Sequence, residues 1–354
     1  MASQGTPRQH FDVICVGDVA TDVFITLSSG RVEVRAEAGD PKLVLPFGAK
    51  VPYESVATIA AGGNAANAAV ACARLGLHVA LAAFVGADQL GRDALAALHS
   101  EGIDTSLVRL DQYTPTNRDF VLRLGQERTI LVRHEQHDYH WPHLRPAEVP
   151  AWLYLSSVGR EAYAYEDQIA DWLEETPSVE LAFEPGTFQI AQGPQRLARL
   201  YRRAGLLICN REEAETICDC PPAEEMDTLL AAMLALGPRQ VVITDAAAGA
   251  FGASGGERYS VPIYPDREPV VDRTGAGDAF AATLLACIVR GMSLEEAMLR
   301  APVNSMSVVH AIGTQAGLLT ADEIAAHLEG APDGFAVESH RATGEAGGRA
   351  TPSL

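Results

Sequence analysis

Six short apolar runs, each of strand length, recur along the chain with helical segments between or beside them. They are residues 11–17 (FDVICVG), 79–85, 152–158, 180–183, 206–209 and 241–244. Few polar residues interrupt them, so they read as strands buried on both faces. Buried strands alternating with helices specify a mostly parallel sheet covered on either side. The expected fold is α/β, a three-layer, doubly wound, mostly parallel sheet in one domain over residues 11–330.

Turn and cap signals divide the remainder. Gly62-Gly63-Asn64 opens a small-residue helix that Gly76 ends, and Asp88 opens another that Gly102 ends. Ser293-Leu-Glu-Glu296 and Thr320-Ala-Asp-Glu323 have capping-box spacing near the C-terminus. Two stretches break the alternation. Residues 31–55 and 111–134 hold β-like runs and turn signals without a helix, and FVLRLGQERTILV (120–132) reads as a hairpin turning at Gly125-Gln126. The two stretches are expected to pair with each other in a small accessory sheet, placed as a lid. Residues 1–10 and 331–354 read as disordered tails, the latter from its Gly, Ser, Thr and Pro content.

Charge and cysteine usage narrow the partners. The formal net charge is −19 and no basic run is present, which argues against nucleic acid as a partner. An anionic ligand must instead meet a locally built site. The cysteines sit mostly in apolar stretches as small hydrophobes, and Cys218-Asp-Cys220 lacks the second cluster that a zinc site needs. No leader-like or membrane-length apolar run occurs, so a cytoplasmic, reduced protein without a membrane partner is expected.

Ligands of open α/β sheets bind beyond the carboxyl ends of the strands. Asp18, Asp22, Asn210, Glu213, Asp245 and the run Asp272–Asp278 all fall there. The last run, DRTGAGDAF (272–280), is the most specific. Gly275-Ala276-Gly277 immediately precedes a helix with Phe280, Leu284, Cys287 and Ile288 on one face, leaving free backbone amides at a positive dipole end. Such amides suit phosphate oxygens. Asp278 could cap the helix or act there as a general base, and spacing alone leaves both open. Gly62-Gly63-Asn64-Ala-Ala-Asn67 is a second glycine pair at a helix start. It serves close helix packing, or it brings the backbone to a ligand whose hydroxyls Asn64 or Asn67 would bind. No Gly-Lys-Ser/Thr follows either motif, and no GxGxxG follows the first strand.

Together, GGNAANAAVACARLG (62–76) and DRTGAGDAF (272–280) resemble the two signature regions of the ribokinase/PfkB carbohydrate kinase family. The resemblance runs from residue 11 to about 330. It includes GDVATD (17–22), both lid segments, Asn210-Arg-Glu-Glu213 and the terminal helices with Asn304. It implies ATP-dependent phosphorylation of a hydroxyl on a small sugar-like acceptor. By that resemblance Asp278 is the base, and the amides of Gly275, Ala276 and Gly277 form the anion hole. Asp22, Gly63 and Asn67, with Asn64 beside them, face the acceptor. Asn210 and Glu213 organise Mg²⁺ and its waters, Thr244 and Gly249 contact ATP, and Asn304 lies beside the nucleotide. Asp272 and Thr274 stand where some members bind a monovalent cation such as K⁺.

Departures from the pattern are Ala246, where glycine is usual in the ATP loop, and Ala20, which argues against ribose itself. Arg273 occupies a variable position and reads as solvated. Arg128, Thr129 and Arg133 form either a solvated strand face or a contact made on lid closure. His134, His137 and His140 read as a polar loop and not a metal cluster. A nucleoside kinase of the same family is the close alternative, with Phe47, Tyr53 and Phe120 as weak candidates for a base pocket. A sugar-binding regulator that has lost catalysis is the third reading. The lid also suggests a homodimer.

Overall fold

The computed structural model describes residues 10–30, 32–37, 40–125, 127–266 and 268–341. Nine of the described strands form one sheet, in the order Val79–Ala82, Val13–Val16, Trp152–Leu155, Glu180–Phe183, Ala204–Asn210, Gln240–Thr244, Ala250–Ser254, Glu257–Val261 and Glu338–Arg341. The first six run parallel, and the last three are added antiparallel. Every residue of Val13–Val16 and Val79–Ala82 is buried, as their uninterrupted apolar sequences require.

Alternation along the strands builds two cores. Val13 and Cys15 pack with the helices Asn64–Arg74, Gln89–Ser100, Ala276–Val289 and Leu294–Val308. Ile14 and Val16 face the opposite way, toward Tyr163–Glu175, Ala198–Arg203, Arg211–Cys218 and Met226–Ala235. The result is three layers, α/β, as expected. From Val13–Val16 the chain passes to Val79–Ala82 on one side and later to Trp152–Leu155 on the other. Beyond the carboxyl ends at such a reversal is where ligands of open α/β sheets bind.

The accessory sheet differs from the expectation. Its order is Glu127–Leu131, Asn117–Leu124, Ala20–Leu27, Tyr53–Gly62. The segments 31–55 and 111–134 do not pair with each other, because Ala20–Leu27 lies between them, parallel to one neighbour and antiparallel to the other. Within 31–55, Glu33–Glu37 pairs antiparallel with Asp40–Val44 in a two-stranded sheet of its own. Periodicity marks a strand without marking its neighbours, so the place of Ala20–Leu27 between the two segments leaves no trace in the sequence. The hairpin through 125–126 does form, with Leu124 opposite Glu127, although Gln126 itself lies outside the described residues.

A second difference is at the C-terminal end. Glu338–Arg341, assigned by composition to an unordered tail, pairs antiparallel with Glu257–Val261 at the sheet edge. This strand is exposed along its length, so it needs backbone partners and no apolar side chains. Composition cannot reveal such a strand. Residues 1–9 and 342–354 lie outside the described residues. Among the described residues no helix is long and apolar enough to cross a membrane, and the six cysteines are free.

Candidate active site

Gly275 caps the helix Ala276–Val289 with φ +86°, a left-handed conformation that suits glycine. A Cβ there would lie 2.8 Å from Thr314 Cα, so the loop also leaves no space for a side chain. Gly277 is the opposite case. It is exposed, and a Cβ on it would meet nothing within 4 Å. The first turn therefore opens onto free space, and no side chain caps it.

Asp278 lies in that first turn, partly buried, and does not cap the helix. Its Oδ2 instead accepts a hydrogen bond from Asn67 Nδ2 at 2.7 Å. Burial pushes its carboxyl up to about 6, the Asn67 bond opposes the rise, and the charge of Glu213 adds to it. Asn67 is itself buried, and its Oδ1 accepts from Thr314 Oγ1 at 2.7 Å and Gln315 Nε2 at 2.9 Å. Gln315 Nε2 is also 2.6 Å from the Ala61 carbonyl. Two donors on the Asn67 oxygen fix the amide so that its NH₂ faces Asp278. Thr314 and Gln315 were not singled out from the sequence, where only a small polar loop marks them.

The glycine pair 62–63 has a steric cause in each member. A Cβ on Gly62 would fall 2.0 Å from Asp22 Oδ2, and one on Gly63, at φ +94°, would fall 2.6 Å from the Asp18 carbonyl. Asp22 is buried and its carboxyl is pushed up to about 7, by burial first and then by the charges of Asp119 and Asp278. Asp119 is its register partner on the neighbouring lid strand. Asp18 accepts from Tyr139 Oη at 2.8 Å and pairs with His134 Nδ1 at 2.9 Å. Burial pulls the His134 imidazole down, but the Asp18 bond and the charges of Asp18 and Asp119 outweigh it and leave it raised. Asn64 opens its helix, partly buried.

The three histidines do not converge: His137 approaches Asp111 at 3.4 Å, and His140 Nδ1 contacts the Asp138 carbonyl at 2.8 Å. Among the described residues no group of three His, Cys, Asp or Glu is placed to hold a metal directly. Arg128, Thr129 and Arg133 are exposed, as is Arg273.

On the other side of Asp278, Asn210 and Glu213 form a reciprocal capping box, each side chain accepting at 2.9 Å from the other's backbone N–H. Thr244 is the register partner of Asn210, so both stand at the carboxyl end of the sheet. Glu184, at the end of Glu180–Phe183, accepts from Tyr154 Oη. Its carboxyl is raised well above the ordinary range by loss of solvent, then by the charge of Asp278 and, less, of Glu213. The sequence reading missed Glu184. Two residues expected at the nucleotide also have structural partners. A Cβ on Gly249 would lie 2.1 Å from the Val261 carbonyl, which is a packing constraint. Asn304 is fully buried, donating to Thr283 Oγ1 at 2.8 Å and accepting from the Leu319 N–H at 2.9 Å. Asp272 is buried as well, accepting from Thr274 N–H at 3.0 Å and Thr274 Oγ1 at 2.7 Å.

The sequence pattern of the pfkB family carbohydrate kinases matches residues 28–321. The chain belongs to that family. A 5-dehydro-2-deoxygluconokinase of Lacticaseibacillus casei is 26% identical to this pfkB-family chain over 339 residues, covering 91% of it and 96% of the relative. A ribokinase of Bacillus subtilis is 27% identical over 324 residues, covering 88% and 97%. Among solved structures, the nucleoside kinase of Methanocaldococcus jannaschii superposes with a TM-score of 0.73 at 21% identity, covering 92% of this chain and 100% of that one. Ribokinase of Arabidopsis thaliana, complexed with ribose and ATP, gives 0.73 at 20% identity and covers 90% and 99%. These structural matches establish the ribokinase fold.

Proposed function

We propose that this chain transfers the γ-phosphoryl group of ATP to a hydroxyl of a small sugar-like acceptor. Asp278 serves as base, and the amides of Gly275, Ala276 and Gly277 serve as anion hole. The observation that carries this reading is the contact of Asp278 with Asn67 in an uncapped first turn. A carboxylate needed only as a cap would bond the helix amides.

Asn67 occupies Oδ2 of Asp278 and leaves Oδ1 for the acceptor hydroxyl. With its carboxyl at about 6, Asp278 is ionised at neutral pH yet basic enough to take that proton in the transition state. The hydroxyl oxygen then bonds to the γ-phosphorus as the bond to ADP breaks, and the proton ends on Oδ1. Charge spreading over the equatorial phosphoryl oxygens meets the three amides, aimed there before reaction begins. Asp22, near neutrality, can both donate to and accept from acceptor hydroxyls.

Glu184, Glu213 and Asp278 have no Lys or Arg at ion-pair distance among the described residues; the charge of Glu213 raises the Asp278 carboxyl, and the charges of both raise that of Glu184. That acidic, uncompensated group fits Mg²⁺ carried on nucleotide phosphates through waters, with few protein ligands. When bound, Mg²⁺ supplies positive charge against the phosphate oxygens. Glu213 and Glu184 would hold its water shell, and Asn210 and Thr244 flank the nucleotide.

For the acceptor, a sugar is favoured over a nucleoside. Phe47 and Tyr53 are 107% and 60% exposed and not gathered with Phe120, which supports the sugar reading. The curated relatives named ribokinase and 5-dehydro-2-deoxygluconokinase set the range of acceptors to try. A cytoplasmic location accords with ATP use and free thiols. A homodimer through the lid accords with exposed Tyr53, Val56, Ile130 and Leu131, and sedimentation as a monomer at micromolar concentration contradicts it. The reading is tested by ADP release from MgATP across sugars, sugar acids, sugar phosphates and nucleosides, with the product identified by phosphorus NMR. Strong turnover of one sugar-like acceptor is expected; turnover of nucleosides alone overturns the acceptor class.

A further inference from the structure

The monovalent cation expected at Asp272 and Thr274 does not fit the geometry around them. Asp272 Oδ1 is taken by the N–H and Oγ1 of Thr274. Its Oδ2 accepts from the Gly313 N–H at 3.3 Å and lies 3.5 Å from Arg123 Nε. The two side chains are 6% and 2% exposed, so this is a buried ion pair. A second Arg123 nitrogen donates to the Val271 carbonyl at 2.5 Å, and a third reaches Thr26 Oγ1 at 3.3 Å. The Asp272 carboxylate that a cation would use already faces a guanidinium, and its remaining contacts are with the N–H and hydroxyl donors of Thr274 and the Gly313 N–H. A second positive charge in that dry space would be repelled.

We infer that Arg123 is the built-in counter-cation of this loop, and that the protein works without K⁺ or Na⁺. The loop it neutralises leads directly into Gly275. Gly313, which shares Asp272 Oδ2 with Arg123, precedes Thr314, which orients Asn67 against Asp278. The charge that a dissociable ion would bring is thus carried by a lid strand, Asn117–Leu124, beside Thr26 on the central lid strand. Arg123 touches no reacting atom and is a positioning residue. The planar fork of arginine serves the carboxylate and the carbonyl together, which a point charge on lysine does less completely.

The test compares thermal unfolding and acceptor turnover of the full chain in potassium chloride and in tetramethylammonium chloride at equal ionic strength. Wild type is expected to show the same melting temperature in both salts and a kcat equal within about twofold. Arg123→Met leaves Asp272 buried and unpaired, so its melting temperature falls in tetramethylammonium and recovers in part with K⁺ or dilute guanidinium. Its kcat falls roughly tenfold or more and recovers in parallel. Arg123→Lys keeps the salt independence. A wild-type melting temperature or rate that rises with K⁺ overturns the inference, as does an Arg123→Met protein as stable as wild type in both salts. If Arg123→Met does not fold, wild type and Arg123→Lys still decide it. The inference rests on the kinase reading only for the rate: failure of every acceptor removes that reading, and the melting comparison still judges Arg123.

Discussion

Asn67 Nδ2 donates to Asp278 Oδ2 at 2.7 Å across 211 residues of sequence, and the bond ties the helix Asn64–Arg74 to the first turn of Ala276–Val289. It is the one contribution that lowers the Asp278 carboxyl, against burial and the charge of Glu213. Asn67→Ala removes it, so the carboxyl rises above about 6. A base must be ionised, hence the ascending limb of kcat/KM moves to higher pH, and the plateau rate falls by about 10–100-fold. A pH–rate profile with an unmoved limb contradicts the assignment.

Asp22 gives a prediction about stability without substrate. Its carboxyl is raised from 3.8 to about 7 by burial, Asp119 and Asp278, in that order. The folded chain therefore binds a proton that the unfolded chain releases, and stability is lost as pH climbs from about 4 to about 7. Asp22→Asn lacks this loss. Its advantage over wild type should grow by on the order of 2–4 kcal/mol between about pH 4 and pH 8, read from denaturant midpoints. A difference that stays flat with pH sinks the idea.

The two glycines of the proposed anion hole separate stability from activity. Gly275→Ala adds a Cβ at φ +86°, 2.8 Å from Thr314 Cα, and should cost about 2–4 kcal/mol through left-handed strain and overpacking. Gly277→Ala meets nothing within 4 Å and suits a helix, so it should raise stability by about 0.5 kcal/mol. Yet its methyl group occupies the space assigned to the phosphoryl group, and kcat should fall by about 100-fold or more. A stabilised Gly277→Ala protein with full activity would place the phosphates elsewhere.

Ala246, in the loop after Thr244 where the proposed ATP contact lies, has φ +42°, a conformation L-residues rarely adopt. Ala246→Gly should relieve this and stabilise the protein by about 1 kcal/mol with activity retained. A lower melting temperature for the glycine variant contradicts it.

The sequence made visible what is local. Buried strands announce themselves by apolar runs, and Gly62-Gly63 and Gly275 by needing backbone conformations or close approaches closed to other residues. The layers of the main sheet and the position of Asp278 followed from those signals. What was missed is held by distant contacts. Gln315 and Thr314 meet Asn67 from 248 and 247 residues away, and Arg123 meets Val271 from 148. An isolated polar residue carries no trace of such a partner. Glu184 was hidden likewise, as one acid at a strand end, and Ala20–Leu27 because pairing order leaves no periodic mark. Conversely, Asn304 matched a family position yet packs internally between Thr283 and Leu319.

In the proposed reaction Asp278 accepts the acceptor's proton. The direct measurement is turnover of the best acceptor by wild type and Asp278→Asn, with MgATP binding measured alongside. For Asp278→Asn, kcat is expected to fall by about 10²–10⁴-fold while the affinity for MgATP changes by less than about tenfold. An asparagine variant that keeps kcat within about tenfold of wild type would contradict it, and so would a wild type that binds a sugar but phosphorylates none.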